Sequence, residues 1–111
     1  MSDGTQPDDV GLRVRTDRPS RTITLEGELD LASKDQFAEA IDPLLDAADP
    51  VTLALEGLLF MDSSGLRAVI QAARRATTLV LRNPRGQVDQ LLRLCDLERL
   101  DNVTIEGGGD G

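Results

Sequence analysis

Histidine does not occur in this chain of 111 residues, and cysteine occurs once, at Cys95. Ser-His-Asp and Cys-His catalytic machinery cannot be assembled without an imidazole. A zinc site, which draws on His and Cys, lacks its ligands. One cysteine makes no internal disulfide, which points to a reducing, cytoplasmic setting. Tryptophan and tyrosine are missing too, so Phe37 and Phe60 are the only aromatics. Base stacking on aromatic platforms is thereby closed off, and the core has to be aliphatic. Neither an EF-hand loop nor a Gly-rich phosphate loop is present. No apolar run nears the ~20 residues of a membrane span, and the polar, acidic start does not read as a signal peptide. No cofactor, no metal, no membrane insertion and no self-contained enzymatic activity are expected.

Basic charge is also in short supply: twelve Lys and Arg face twenty Asp and Glu, a net charge of −8. Asp3, Asp8, Asp9, Glu106 and Asp110 sit at the two ends, leaving fifteen acids against twelve bases between Gly11 and Ile105. Neither balance suits a phosphate backbone, so direct nucleic-acid binding is not expected. What the chain does have is the material for one domain. Its length is that of a single core, and 40% of its residues are hydrophobic. A domain this size buries roughly 60–70% of the surface its unfolded form exposes.

Periodicity divides the chain into alternating strands and helices. Residues 1–10 read as a flexible acidic tail. Residues 11–16 and 21–26 alternate as strands, with Leu12 and Val14, then Ile23 and Leu25, on one face, and Asp17-Arg18-Pro19-Ser20 turns between them. Ser33 with Gln36 three positions on forms a capping box for a helix carrying Phe37, Ala40, Ile41, Leu44, Leu45 and Ala48. Pro43 falls inside it and predicts a kink or a two-piece helix. Residues 51–55 are continuously apolar, the pattern of a central strand covered on both faces. A helix from about Ser63 presents Leu66, Val69, Ile70 and Ala73 on one side and Arg67, Gln71, Arg74 and Arg75 on the other. A strand at 78–81 follows, then a helix started by Pro84 with Val88, Leu91, Leu92 and Cys95 as its apolar stripe. Cys95 is thus expected to be buried. A last strand at 102–105 precedes a flexible, Gly-rich tail at 106–111. The expected fold is α/β: a small mixed sheet of about five strands with three helices packed on it, over residues 11–105.

The stretch richest in chemistry is Phe60-Met61-Asp62-Ser63-Ser64-Gly65-Leu66, where a strand ends and two hydroxyls and a glycine open a helix. A purely structural reading has Ser63 capping the helix and Gly65 allowing a tight turn. The functional reading uses the same geometry. A serine at a helix start is reachable from solvent, and a phosphoryl group there adds about −1.5 to −2 charges beside Asp62. A nucleophilic role for the serine lacks both a G-x-S-x-G elbow and a histidine base.

Met61-Asp62-Ser63-Ser64-Gly65-Leu66 resembles the signature of the STAS domain, in particular that of the bacterial anti-sigma factor antagonists. Three further stretches fit in order: Leu25-Glu26-Gly27-Glu28-Leu29-Asp30 resembles the family's turn before its first helix, residues 51–59 its central strand and approach loop, and residues 88–97 its third helix. Cys95 and Asp96 depart from it, standing where many relatives carry a small hydroxyl residue and a glycine. Residues 106–111, short and Gly-rich, are not expected to form the closing helix that many relatives add after the last strand. Part of a sheet face is then bare, or covered by a partner or by a second copy in a homodimer. The resemblance implies partner switching. The unmodified domain binds an anti-sigma factor that is also a serine kinase, an ATPase of histidine-kinase-like fold. That kinase phosphorylates Ser63, the charged form lets go, and a PP2C-type phosphatase restores it. Asp62, Ser64, Gly65, Leu66, Arg67 and Asp30 would flank the contact surface, and a capping role for Asp30 stands beside that one. Two other readings stand alongside: a non-phosphorylated STAS interaction module, such as a small subunit of a lipid-transport ATPase complex, and a ligand-sensing STAS domain.

Overall fold

The order of elements in the computed structural model, which describes residues 11–45 and 48–108, is β-β-α-β-α-β-α-β. Strands β1 (Leu12–Asp17) and β2 (Thr22–Leu29) form an antiparallel hairpin, followed by helix α1 (Lys34–Leu45), β3 (Val51–Met61), α2 (Ser63–Arg75), β4 (Leu79–Arg82), α3 (Gly86–Leu94), a single 3₁₀ turn at Leu97–Arg99, and β5 (Val103–Glu106). The five strands lie in one mixed sheet in sequence order, with β2 to β5 parallel. The expected fold class is borne out. Among the described residues no helix is long and apolar enough to cross a membrane.

A sheet whose parallel strands advance one place at each step, joined by right-handed crossovers, carries all its helices on one face. The burial follows that rule. Phe37 and Ile41 of α1, Val69 and Ala73 of α2, and Val88 and Leu92 of α3 share a single apolar cluster with Ile23, Leu25, Leu53, Leu55, Leu79 and Leu81 of the sheet. Burying each such side chain contributes about 1.5–3 kcal/mol. The opposite face is polar. Cross-strand partners line up there as Arg15, Thr24, Ala54, Arg82 and Glu106, and as Thr22, Thr52, Val80 and Thr104. The strand at 51–55 is therefore covered by helices on one face only; Ala54 is buried because it is small, between Thr24 and Arg82.

Several boundaries differ from expectation for identifiable reasons. β3 runs six residues further, to Met61, because β2 continues beside it to Leu29, pairing through two irregularities, one between Thr24 and Glu26 and one between Gly27 and Glu28. Extra residues at such bulges break simple alternation, so Leu55, Leu58 and Met61 all face the core while Leu59 and Phe60 turn outward. Gln87 on α3 braces the overhang, receiving the Met61 N–H at 3.0 Å and donating to the Met61 carbonyl at 2.8 Å.

Pro43 does not divide α1: it lies in the last turn, two residues before the helix ends. Ala48 lies beyond that helix and is exposed. The end of α1 is held by Arg21, in left-handed backbone geometry at φ 54°, which donates to the carbonyls of Leu44, Asp49 and Pro50. Helix α3 begins at Gly86, with Arg85 as N-cap, two residues later than Pro84 would place it. Cys95 is exposed, contrary to the expected apolar stripe. It stands at the C-cap of α3, and the next residue, Asp96, turns left-handed at φ 55°, swinging the chain away before the stripe can close. Position 106 belongs to β5, and Gly107 and Gly108 pack against Asn83 and Pro84 without room for a Cβ. The tail at 1–10 and the last three residues lie outside the described residues.

Candidate functional site

The parallel strands β2 and β3 end together on one rim of the sheet, Leu29 level with Met61, and the turn after β2 and the start of α2 meet there. Asp62, not Ser63, is the N-cap of α2. Its backbone is extended, its Oδ1 accepts from the Gly65 N–H at 2.9 Å, and its Oδ2 accepts from the Leu31 N–H at 3.4 Å. One carboxylate thus closes the helix start and ties it to the turn after β2. Its own N–H donates to the Leu29 carbonyl at 3.2 Å, completing the link.

Gly65 explains itself at the same oxygen. A Cβ on residue 65 would lie 2.3 Å from the Leu29 carbonyl oxygen and 2.9 Å from both its carbon and the Leu29 Cγ. Only a residue without a side chain lets α2 rest on the end of β2. Leu66 is buried and belongs to the core cluster. Gly65 and Leu66 therefore support the surface from beneath.

The turn after β2 is organised by Asp30 and Ser33. Asp30 Oδ1 accepts from the N–H groups of Ala32 and Ser33, at 3.1 and 3.2 Å, and from the Ser33 hydroxyl at 3.1 Å. Asp30 is thus a local cap in this structure. Ser33 is buried and also donates to the Glu28 carbonyl at 2.9 Å. The expected capping box is not formed, because Gln36 reaches instead to the Leu12 carbonyl of β1, 2.9 Å away.

With Asp62 doing the capping, Ser63 occupies the first helical position and is exposed; its hydroxyl makes no hydrogen bond among the described residues. Beside it, α1 and α2 enclose a groove of about 300 Å³ lined by Leu31, Lys34, Asp35, Ser64, Arg67 and Ala68, among others. Lys34 is paired with Asp35 at 3.0 Å. Arg67 is exposed, and its guanidinium has no partner among the described residues. Leu31 is 67% exposed, Leu59 75% and Phe60 40%, so apolar side chains accompany the polar rim.

Of the residues singled out in the sequence, Asp62, Ser63, Ser64, Gly65, Arg67 and Asp30 come together at this rim. Leu31, Lys34 and Gln87 were missed. Lys34 carried a signal, as the only lysine in the chain, and so did Leu31, an apolar residue in a turn. Away from the rim, Arg93 has its pKa raised by the hydrogen bond and charge of Asp89, with Glu98 adding to it, in a network that joins α3 to the segment after it.

Comparison with known proteins bears on this arrangement. The family model described as "Mlab, STAS domain" matches residues 12–104. None of the curated proteins matches the chain. Among solved structures, the fold is similar to that of an anti-sigma factor antagonist from Mycobacterium paratuberculosis, with a TM-score of 0.69 and 17% identity over 90% of this chain and 89% of that one. It is similar to the unphosphorylated form of the anti-sigma factor antagonist SpoIIAA, with a TM-score of 0.64 and 24% identity over 86% and 87% of the two chains. It is also similar to a chain in the complex of the diguanylate cyclase SiaD with its activator SiaC from Pseudomonas aeruginosa, with a TM-score of 0.56 and 18% identity over 94% and 95%.

Proposed function

The chain belongs to the STAS domain family, and within that family we propose that it is an anti-sigma factor antagonist switched by phosphorylation of Ser63. The observation that carries this reading is the division of labour at the start of α2. Asp62 supplies the cap, and the Ser63 hydroxyl is left exposed and without a partner. Two of the structures similar in fold are described as anti-sigma factor antagonists, one of them as an unphosphorylated form.

In the unmodified state the rim around Ser63, with the groove beside Arg67, docks on an anti-sigma factor that is itself a serine kinase. In the transfer, Ser63 Oγ bonds to the γ-phosphorus of ATP as the bond from that phosphorus to the bridging oxygen of ADP breaks. The hydroxyl proton passes to a base of the kinase. A PP2C-type phosphatase reverses the change by hydrolysis, releasing inorganic phosphate. An unpaired charge placed in a docked surface commonly costs ~2–5 kcal/mol, which weakens binding by roughly 30- to 4,000-fold.

The experiment is incubation of the chain with its cognate kinase and Mg-ATP, followed by intact-mass and peptide analysis. One phosphate on Ser63, loss of the complex, and a Ser63→Ala variant that binds but takes no label are the expected results. A chain that stays bound and unmodified, or a Ser63→Ala variant that is still labelled, removes this mechanism. A second reading has one observation behind it: the fold also resembles a chain in a complex of an enzyme with its activator. It makes the protein a non-phosphorylated interaction module, and a Ser63→Ala protein indistinguishable from the parent in partner binding would favour it.

A further inference from the structure

Helix α2 carries three arginines, and they are not equivalent. Arg75 pairs with Asp42 of α1. Arg74 stands at the far end of the helix, in its last turn. Arg67 is exposed, lines the groove, and offers an unpartnered guanidinium among the described residues. It is also four positions after Ser63, one helical turn away on the same side. Side chains four apart on a helix are neighbours, roughly 5–6 Å between Cβ atoms, and an anion N-terminal to a cation at that spacing is the favourable order.

We infer that Arg67 is the internal partner of a phosphoryl group on Ser63. The inference rests on the reading of Ser63 as the modified residue and concerns what the modification does next. A phosphoserine presents a charge of about −1.5 to −2 and three acceptor oxygens, and the guanidinium fork matches such oxygens with paired donors. Drawn back toward the helix start, Arg67 leaves the groove it otherwise lines. The phosphate then acts twice: it adds an anion to the docking rim and withdraws the cation that the unmodified helix offers a partner there.

Three other charged groups near this position have partners among the described residues. On α1, Lys34 is paired with Asp35 at 3.0 Å. In the turn after β2, Asp30 accepts from the N–H groups of Ala32 and Ser33. Beneath the helix start, Asp62 accepts from those of Gly65 and Leu31.

The test installs phosphoserine at position 63 during translation of the full chain, so that no kinase is needed, and follows its second ionisation by phosphorus NMR. The comparison is among the parent, Arg67→Gln, Arg67→Lys, Lys34→Gln and Arg74→Gln. The phosphate in the parent should ionise at a pH lower by about 0.3 or more than in Arg67→Gln, a twofold change in proton affinity. Arg67→Lys should keep part of that difference, and Arg74→Gln should match the parent. Coincident titrations of parent and Arg67→Gln overturn the inference, as does a shift that follows Lys34→Gln instead. A failed kinase assay with this difference intact would sink the proposed regulation and leave the ion pair standing. The reverse outcome would sink the ion pair alone.

Discussion

Replacing Gly65 with alanine sets two opposed effects against each other. In an open helix Gly→Ala stabilises by about 1 kcal/mol, because the unfolded chain loses freedom and the helix gains propensity. Here the added methyl would sit 2.3 Å from the Leu29 carbonyl oxygen. That oxygen belongs to the sheet backbone and also accepts the Asp62 N–H, so it cannot move aside as a flexible side chain would. Overpacking against a fixed neighbour typically costs 1–3 kcal/mol. Loosening the Asp62 link adds to that. We expect a net loss of about 2 kcal/mol, which for a domain near this size lowers Tm by roughly 8–16 °C. Urea unfolding followed by circular dichroism measures it, with Ser64→Ala as a neighbour expected to change little. A Gly65→Ala protein as stable as the parent, or more so, would show that α2 does not rest on Leu29 as described.

Two further outcomes follow from named hydrogen bonds. Asn102→Ala removes donors to the Ala73 and Ala76 carbonyls, at 2.6 and 2.9 Å, which close the end of α2. A loss of about 1–2 kcal/mol is expected in the same denaturation assay, and Asn102→Asp should not restore it, since it supplies no amide donor. Asp62→Ala removes the cap from Gly65 and the tie to Leu31. It should cost about 1 kcal/mol and speed amide exchange at both residues, whereas slow exchange at both would contradict the cap.

How much of this was legible beforehand depended on the range of the interaction. Helix α2 was legible because Leu66, Val69 and Ala73 repeat at the helical period, and burial on one face follows from that period alone. The family resemblance of the D-S-S-G segment is borne out by the match over residues 12–104. Asp62 and Ser63 are both good cap residues, so local pattern could not choose between them. The choice is made by which one sits three residues before Gly65 and also faces Leu31. Gln36 looked like half of a capping box, but β1 lies close enough to offer it the Leu12 carbonyl. The extension of β3 rests on continued pairing with β2 across two bulges, and the exposure of Cys95 on a left-handed Asp96. Both are decided by backbone geometry that residue types only weakly encode.

The parallel run of β2 to β5 has a practical consequence for handling the protein. β5 delivers the backbone at Gly107 to the side of the sheet that holds Asp62, and β1, running the other way, starts there too, with Leu12 opposite Gly27. Both are two strands from β3, but Leu12 is level with Leu58 through Gly27, whereas Glu106 is level with Ala54 through Arg82 and so stops well short of Asp62. A bulky group attached near Leu12 therefore crowds the neighbourhood of Ser63 more than one near Gly107. A dye or tether for measuring association belongs on the far side, at the exposed Ser20 in the hairpin turn, where a bulky group leaves the approach clear.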